Sequence, residues 1–357
     1  MISFYPGPSK VWDALPRYMQ NAWEEGILSV NHRSPEFIQV SRTCIRLLHE
    51  KLNIPDNYTI LFTSSATESW EIIAQSIIGK EKSLHLYNGA FGEKWFEYTR
   101  KITGAASAYP FSPEALPEPG ALEVSSDTLL LALTHNETSN GTALPDAFLQ
   151  EVRMNYPDQL IAVDATSSMG GIKLPFELAD IWFASVQKCF GLPAGLAVFV
   201  CSPAAVERAQ NPGENQHYNS LGYMLKMIEE AQTTYTPNVL GIYLLMRSLQ
   251  DSPSTEVTHQ LLRGRFSGWT SFITGHKDLS FLIKNRELRS STVIPIEGTP
   301  AQVDRLKKTA KAEGLYLGNG YGEWKNTTFR IANFPAHTER EIQQLKDFLS
   351  TFNYSSI

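Results

Sequence analysis

Asp180-Ile-Trp-Phe-Ala-Ser-Val-Gln-Lys-Cys-Phe-Gly-Leu-Pro-Ala-Gly195, continued by Leu196-Ala-Val-Phe-Val200, is the stretch on which the fold turns. Two short apolar runs, Ile181 to Ser185 and Leu196 to Val200, bracket a loop rich in glycine and proline. Runs this short and without alternation read as strands buried on both faces, the pattern of a mostly parallel sheet covered by helices. Upstream, Leu160 to Val163, Leu129 to Leu133, Leu84 to Tyr87 and Ile60 to Phe62 repeat the pattern. Between them, Glu68 to Ile78, Lys94 to Arg100 and Asp146 to Met154 read as helices. This alternation predicts an α/β fold; the lateral order of the strands is not written in it.

Downstream the rhythm changes. A polar turn region over Gly213 to Ser220 precedes a helical segment, Leu221 to Leu249, interrupted at Pro237. Then come a helix before Gly268, a strand near Ser291 to Ile296, a helix from Ala301 to Glu313, a strand at Phe329 to Ile331 and a last helix from Thr338 to Leu349. This predicts a smaller α+β unit. A chain of 357 residues exceeds what one hydrophobic core usually supports. We expect a large domain over residues 16–250 and a small one over 251–357, with residues 1–15 packed on it.

Composition narrows the functional classes. The chain carries 37 acidic and 31 basic side chains, a formal net charge of -6, and neither sign forms long blocks. That gives no electrostatic case for nucleic acid or an anionic membrane. Cys44, Cys189 and Cys201 are odd in number and lack metal-ligand spacing, so they read as reduced thiols. The first residues have neither a basic segment nor an apolar run, and no stretch reaches the roughly 18 apolar residues of a membrane span. A soluble cytoplasmic protein that binds no metal is the expectation. Neither a phosphate-binding Walker loop nor a dinucleotide fingerprint is present, which argues against a nucleotide-binding protein.

The chemistry centres on Lys188. It follows an apolar strand and precedes a glycine-rich turn, a setting where desolvation lowers the pKa of an amine. Asp164 ends the strand before Ala165-Thr-Ser-Ser168. A carboxylate there either caps the serine turn or meets a cationic partner such as a protonated pyridine nitrogen. Thr63-Ser-Ser-Ala-Thr-Glu68 joins a strand to a helix, with Ser65 and Glu68 at capping-box spacing. Such a start is either simply well capped or a seat for a phosphate.

The segments Val163-Asp-Ala-Thr-Ser-Ser168 and Ser185-Val-Gln-Lys-Cys-Phe-Gly-Leu-Pro-Ala-Gly-Leu196 resemble the class V aminotransferases, and within them the phosphoserine aminotransferase branch. The likeness runs in order from Phe4-Tyr-Pro-Gly-Pro8 to the last helix. It implies the fold type I architecture of pyridoxal-phosphate-dependent aminotransferases: a large domain with a mostly parallel seven-stranded sheet and a small α+β C-terminal domain. It implies pyridoxal 5'-phosphate as cofactor, Lys188 as the Schiff-base lysine and Asp164 as partner of the pyridine nitrogen. Ser65, Ala66, Thr67 and Gln187 then correspond to residues around the cofactor phosphate. Thr138, in His135-Asn-Glu-Thr-Ser-Asn-Gly141, corresponds to a donor towards the ring oxygen, with Asn136 and Glu137 shaping the turn.

Two positions depart from the family pattern. The 63–68 loop has less glycine than usual and lacks an arginine. Gly92 stands where a ring-stacking tryptophan is common, which leaves Phe91 either covering the ring or in the core. Tyr235 and Thr236, in Thr234-Tyr-Thr-Pro-Asn238, correspond to residues that complete the neighbouring subunit's phosphate site, which implies a two-fold homodimer.

Arg330 corresponds to the residue that clasps the substrate α-carboxylate, a bidentate task suited to guanidinium. His32 and Arg33 correspond to a pair that recognises a side-chain phosphate or a distal carboxylate. The implied reaction is reversible transamination between L-phosphoserine and 2-oxoglutarate, giving 3-phosphohydroxypyruvate and glutamate. A class V transaminase for another small amino acid, such as alanine or serine with glyoxylate, and a cofactor-binding homologue without turnover are the alternatives. Cysteine desulfurase chemistry is disfavoured, because Cys189 next to Lys188 points to the opposite face.

Overall fold

The computed structural model describes residues 1–210 and 216–354 and gathers the apolar runs into one seven-stranded sheet. In chain order, β1 (Ile2–Phe4) is followed by α1 (Leu15–Glu24) and α2 (Pro35–Leu52). Next, β2 (Thr59–Thr63) leads into α3 (Ala66–Ile72), and β3 (Lys82–Tyr87) into α4 (Ala90–Thr103). Then come β4 (Ala106–Pro110), β5 (Thr128–Thr134), the short pair β6 (Asn136–Glu137) and β7 (Thr142–Ala143), and α5 (Asp146–Asn155). β8 (Leu160–Asp164), β9 (Ile181–Ser185), β10 (Ala197–Cys201) and α6 (Pro203–Gln210) follow.

The large sheet runs β2-β10-β9-β8-β5-β3-β4. β10 is antiparallel to both neighbours and the other adjacent pairs are parallel. Hence β2, β3, β5, β8 and β9 all finish at one edge, with Thr63, Tyr87, Thr134, Asp164 and Ser185 as their last residues. Loops leaving that edge are where an open α/β sheet builds a site. Successive residues divide between two cores. Ile161, Val163, Trp182 and Val198 pack with Leu48 and Phe148, whereas Ala162, Ile181, Phe183 and Phe199 pack with Trp70 and Trp95. Burial on both faces is why these strands read as unbroken apolar runs rather than as alternation.

The rest of the chain supplies α7 (Leu221–Ile228), α8 (Val239–Asp251), α9 (Thr255–Gly275), β11 (Ser280–Phe281) and β12 (Val293–Glu297). It ends with α10 (Pro300–Ala312), β13 (Leu315–Asn319), β14 (Thr328–Ala332) and α11 (Glu339–Thr351). A second sheet, β1-β13-β14-β12-β11, carries α10 and α11 over a core that includes Phe4, Trp269, Leu306, Phe329 and Leu345. Only β1 and β13 pair in parallel. The first strand of the chain thus belongs to the second sheet.

Several local expectations change. Glu68 to Ile78 is not one α-helix: α3 ends at Ile72 and a π turn covers Ile73–Ile78. Ile72 and Ile77, and Ile73 and Ile78, are all fully buried, and their five-residue spacing matches the wider turn. The helix expected before Gly268 runs through it to Gly275, because Leu262, Trp269 and Ile273 bury one face and outweigh the low helix propensity of glycine. Of the polar turn at Gly213 to Ser220, residues 213–215 lie outside the described residues. The helices α1 and α2, the edge strand β4 and the strand β13 had no counterpart in the sequence reading.

Candidate active site

Three of the strand ends at the carboxyl edge, Thr134, Asp164 and Ser185, line a cavity of about 220 Å³ shared with Arg330 and Tyr321 of the second unit. Lys188 lies three residues past β9 and is 6% exposed. Its Nζ donates to Thr138 Oγ1 at 2.7 Å and to Ser167 Oγ at 2.9 Å. It also stands 5.3 Å from the centre of the Phe91 ring. Burial pulls its pKa from the ordinary 10.5 down to about 8, while the carboxylates of Asp164 and Glu137 oppose the shift. The backbone of Gly7 presses on this side chain: a Cβ there would lie 2.8 Å from Lys188 Cε, and its φ of +153° favours glycine.

Asp164, the last residue of β8, is 5% exposed. Its Oδ1 accepts the Thr166 amide at 2.9 Å and its Oδ2 accepts Trp70 Nε1 at 3.2 Å. Burial raises its pKa; the bonds from Thr166, the nearby Lys188 and the indole pull the other way. The capping and cavity-facing alternatives for Asp164 coexist, because one oxygen closes the 164–166 turn while the residue also lines the cavity.

At the start of α3, Ser65 Oγ accepts the Glu68 amide at 3.1 Å. The reciprocal half of the capping box is not made: Glu68 Oε2 takes Ser64 N and Ser64 Oγ at 2.6 and 2.7 Å. Ala66 and Thr67 face the cavity, and the Ala66 amide is held by Ser185 Oγ at 2.8 Å. Gln187 and Thr138 are also in the wall.

Phe91 faces the cavity at the start of α4, tilted against Tyr321 with ring centres 5.4 Å apart. Its amide and that of Gly92 are held by Glu137 Oε2 at 3.1 and 3.2 Å, while Ser139 N and Oγ hold Oε1. Glu137 is thus a clamp between two loops. A Cβ on Gly92 would fall 2.5 Å from Tyr87 Cβ and 3.0 Å from Thr134 Oγ1. The Tyr87 and Thr134 side chains leave no room there, and the aromatic surface comes from the preceding residue.

Arg330, on β14, is 7% exposed and its Nε and one terminal nitrogen donate to Asn319 O and Thr138 O at 2.6 and 2.7 Å. Burial lowers its pKa to about 10. Two of its five N–H donors are thus tied to carbonyls, and the residue lines the cavity.

Ser65, the residue that caps α3, is not among the cavity-lining residues. Four further expected site residues lie elsewhere and cluster together. Thr236 Oγ1 is 3.4 Å from His32 Nδ1, and Arg33 donates to Gln232 Oε1 at 2.5 Å. Tyr235 packs edge-on against Tyr218 at 5.2 Å. None of His32, Arg33, Tyr235 and Thr236 lines the Lys188 cavity. Burial and the neighbouring Arg33 lower the His32 pKa. Cys189 turns away from the cavity onto Val293, Ala332 and Phe334, and burial raises its thiol pKa.

Sequence reasoning missed Trp70, Ser167, Ser185 and Tyr321. Trp70 follows Ala66 by four residues, so helical spacing puts both on one face. Ser185 closes a strand already read as pointing to the site. Nothing in the sequence singles out Tyr321, which arrives from the second unit.

Three buried polar atoms of cavity-lining residues, Thr134 Oγ1, Asn136 Nδ2 and Thr166 Oγ1, have no hydrogen-bond partner in the protein. Buried groups left so usually meet a ligand or water. A flat polar ring under Phe91, within reach of an amine and a buried acid, suits this lining.

The class-V aminotransferase family model matches residues 6–258. A phosphoserine aminotransferase of Rhodococcus opacus is 30% identical over 353 residues, covering 95% of this chain and 91% of its own. The structure of a phosphoserine aminotransferase from Cytophaga hutchinsonii superimposes with a TM-score of 0.92 at 33% identity, covering 98% of each chain. A Thermus thermophilus aspartate aminotransferase of subgroup IV shares the fold, with a TM-score of 0.85 at 21% identity over 98% of each chain. The chain belongs to the class-V aminotransferases, a family of pyridoxal-phosphate-dependent transferases.

Proposed function

We propose that this protein transfers an amino group between L-phosphoserine and 2-oxoglutarate, reversibly, with pyridoxal 5'-phosphate seated on Lys188. The observation that carries the chemistry is one cavity holding a buried amine of lowered pKa, a buried acid and a carboxylate-binding guanidinium: Lys188, Asp164 and Arg330. The choice of phosphoserine rests on the near full-length likeness to phosphoserine aminotransferases. Closure of the Gly92 site by Tyr87 and the placing of Phe91 over the amine remove one reason to prefer a glyoxylate-linked substrate.

When bound, the cofactor supplies an electron sink for charge developing at the substrate α-carbon. The chain's residues do the rest. Asp164 holds a proton at the pyridine nitrogen, Thr138 donates towards the ring oxygen and Phe91 covers one ring face. Ser65, Ala66, Thr67 and Gln187 surround the phosphate. Arg330 grips the substrate α-carboxylate in a planar, two-point contact. Lys188, once released, carries the proton at the α-carbon; an amine with a pKa near 8 is closer to the working pH than an ordinary lysine.

His32 and Arg33 share one surface with Thr236, outside their own chain's cavity. That supports a homodimer in which Tyr235, Thr236 and the histidine–arginine pair serve the neighbouring site, the last two receiving the substrate's distal phosphate.

The test is spectroscopic. Cofactor-loaded protein should lose its visible band on mixing with L-phosphoserine and regain it with 2-oxoglutarate. Borohydride reduction before mixing should fix the cofactor to Lys188, read by peptide mass. A response to alanine or serine but not phosphoserine overturns the substrate, and no response to any amino donor overturns the transaminase.

A further inference from the structure

Trp70 is the one indole that touches the acid of the site. It lies a turn into α3, 5% exposed, and donates from Nε1 to Asp164 Oδ2 at 3.2 Å. Its ring is fixed by a stack: Trp95 lies near-parallel at 6.4 Å and Tyr98 tilted at 6.1 Å. Trp95 is itself wedged edge-on between His85 and Phe183 at 5.4 and 5.2 Å. The direction of the N–H is therefore set by packing.

An indole nitrogen donates and never accepts. It favours a carboxylate over a carboxylic acid, and no proton can be passed to it. The other oxygen of Asp164 faces another pure donor, the Thr166 amide. Lys188 is the charged group acting on Asp164, while Asp164, Glu137, Arg330 and Cys189 act on Lys188. An acid in so dry a place tends to take up a proton, and when it faces a pyridine nitrogen the two compete for one.

We propose that Trp70 is a positioning residue that holds Asp164 ionised, so that the proton shared by Asp164 and the cofactor ring stays on the ring nitrogen. The proposal rests on the reading that pyridoxal phosphate is seated in this cavity. A proton on the ring draws electron density from the imine nitrogen joining the cofactor to Lys188 and makes that nitrogen less basic. Weakening the hold on Asp164 returns the proton to the acid and makes the imine more basic.

The measurement is the pH midpoint of the visible band of the reconstituted protein, with cofactor retention on dialysis as a second readout. Trp70→Phe keeps a ring in the stack and deletes the donor; the midpoint should rise by about one unit, the size expected from one hydrogen bond to a charged group, and retention should fall. The control is Trp95→Phe. That indole nitrogen is buried without a partner, so the change disturbs the same stack and removes no hydrogen bond. It should leave the midpoint in place. If Trp70→Phe folds poorly, a benzothienyl-alanine at position 70 replaces N–H by sulfur at almost constant shape and should give the same rise. An unmoved midpoint on loss of the donor, or an equal rise in Trp95→Phe, overturns the proposal. Wild-type protein that takes up no cofactor is a different result, and it overturns the reading beneath.

Discussion

Lys188 shows how far a single side chain is governed by its surroundings. Burial favours the neutral amine, so between about 8 and the ordinary 10.5 the folded protein binds fewer protons here than the unfolded chain. Stability from this group therefore rises with pH across that window, and the cost of burial is felt in full below it. Lys188→Met removes the titration while keeping an unbranched side chain. In urea unfolding of the cofactor-free protein, wild type should gain on the variant by on the order of 2–3 kcal/mol between pH 7.5 and 10.5. Parallel stabilities would mean that the amine is not desolvated. The sequence made Lys188 visible through its strand and turn, but residue type alone does not separate working acids from structural ones. Asp164 and Asp180 both border apolar strands and both are buried. Asp180 lies at the other edge of the sheet, held by Arg153, the Ile161 amide and Ser202, whereas Asp164 ends its strand at the cavity. Strand direction and neighbours distinguish them, and both are tertiary.

At the scale of elements, legibility follows burial. The central strands were readable because both faces are covered, so that every residue from Ile181 to Ser185 is buried. β4 was not: Ala106–Pro110 is an edge strand, largely exposed, and Ala-Ser-Ala-Tyr-Pro holds no run of large apolar side chains. The start of α4 was also obscure, because its determinant is remote in sequence. Glu137, on β6, supplies the acceptor for the free amides of Phe91 and Gly92, where an intrahelical partner is lacking. Its carboxylate is 1% exposed at residue level and also binds Ser139 twice, so truncation strands several buried donors at once. Glu137→Ala should therefore destabilise the protein by about 3 kcal/mol in urea unfolding. It should also loosen Phe91, seen as faster exchange of the first amides of α4. A loss below about 0.5 kcal/mol would show that water replaces the carboxylate, and that the helix start needs no clamp.

The molecule as a whole poses the question of where the remaining site residues act. Each chain builds one cavity from both of its sheets, with Arg330 bridging to Thr138 and Tyr321 lying against Phe91. The same chain presents His32, Arg33 and Thr236 as a separate cluster that its own cavity does not use. Family resemblance already gave Thr236 a part in the neighbouring site, but it named His32 and Arg33 only as substrate contacts; that this pair also lies outside its own chain's cavity is visible only in the folded chain. In a two-fold dimer each cluster would serve the partner's cavity, and such sites can be shared between differently damaged chains. Lys188→Ala leaves Arg33 intact, and Arg33→Ala leaves Lys188 intact. A mixed dimer then holds one doubly damaged site and one in which Lys188 of one chain meets Arg33 of the other. Random reassortment of equal amounts makes half the dimers mixed, so the phosphoserine-dependent rate should recover to about a quarter of wild type, from two proteins that are each poorly active. The recovery should need unfolding and refolding together, or co-expression, and two different tags would count the mixed dimers. Mixed dimers present without recovered rate would place Arg33 in its own chain's chemistry, or in none.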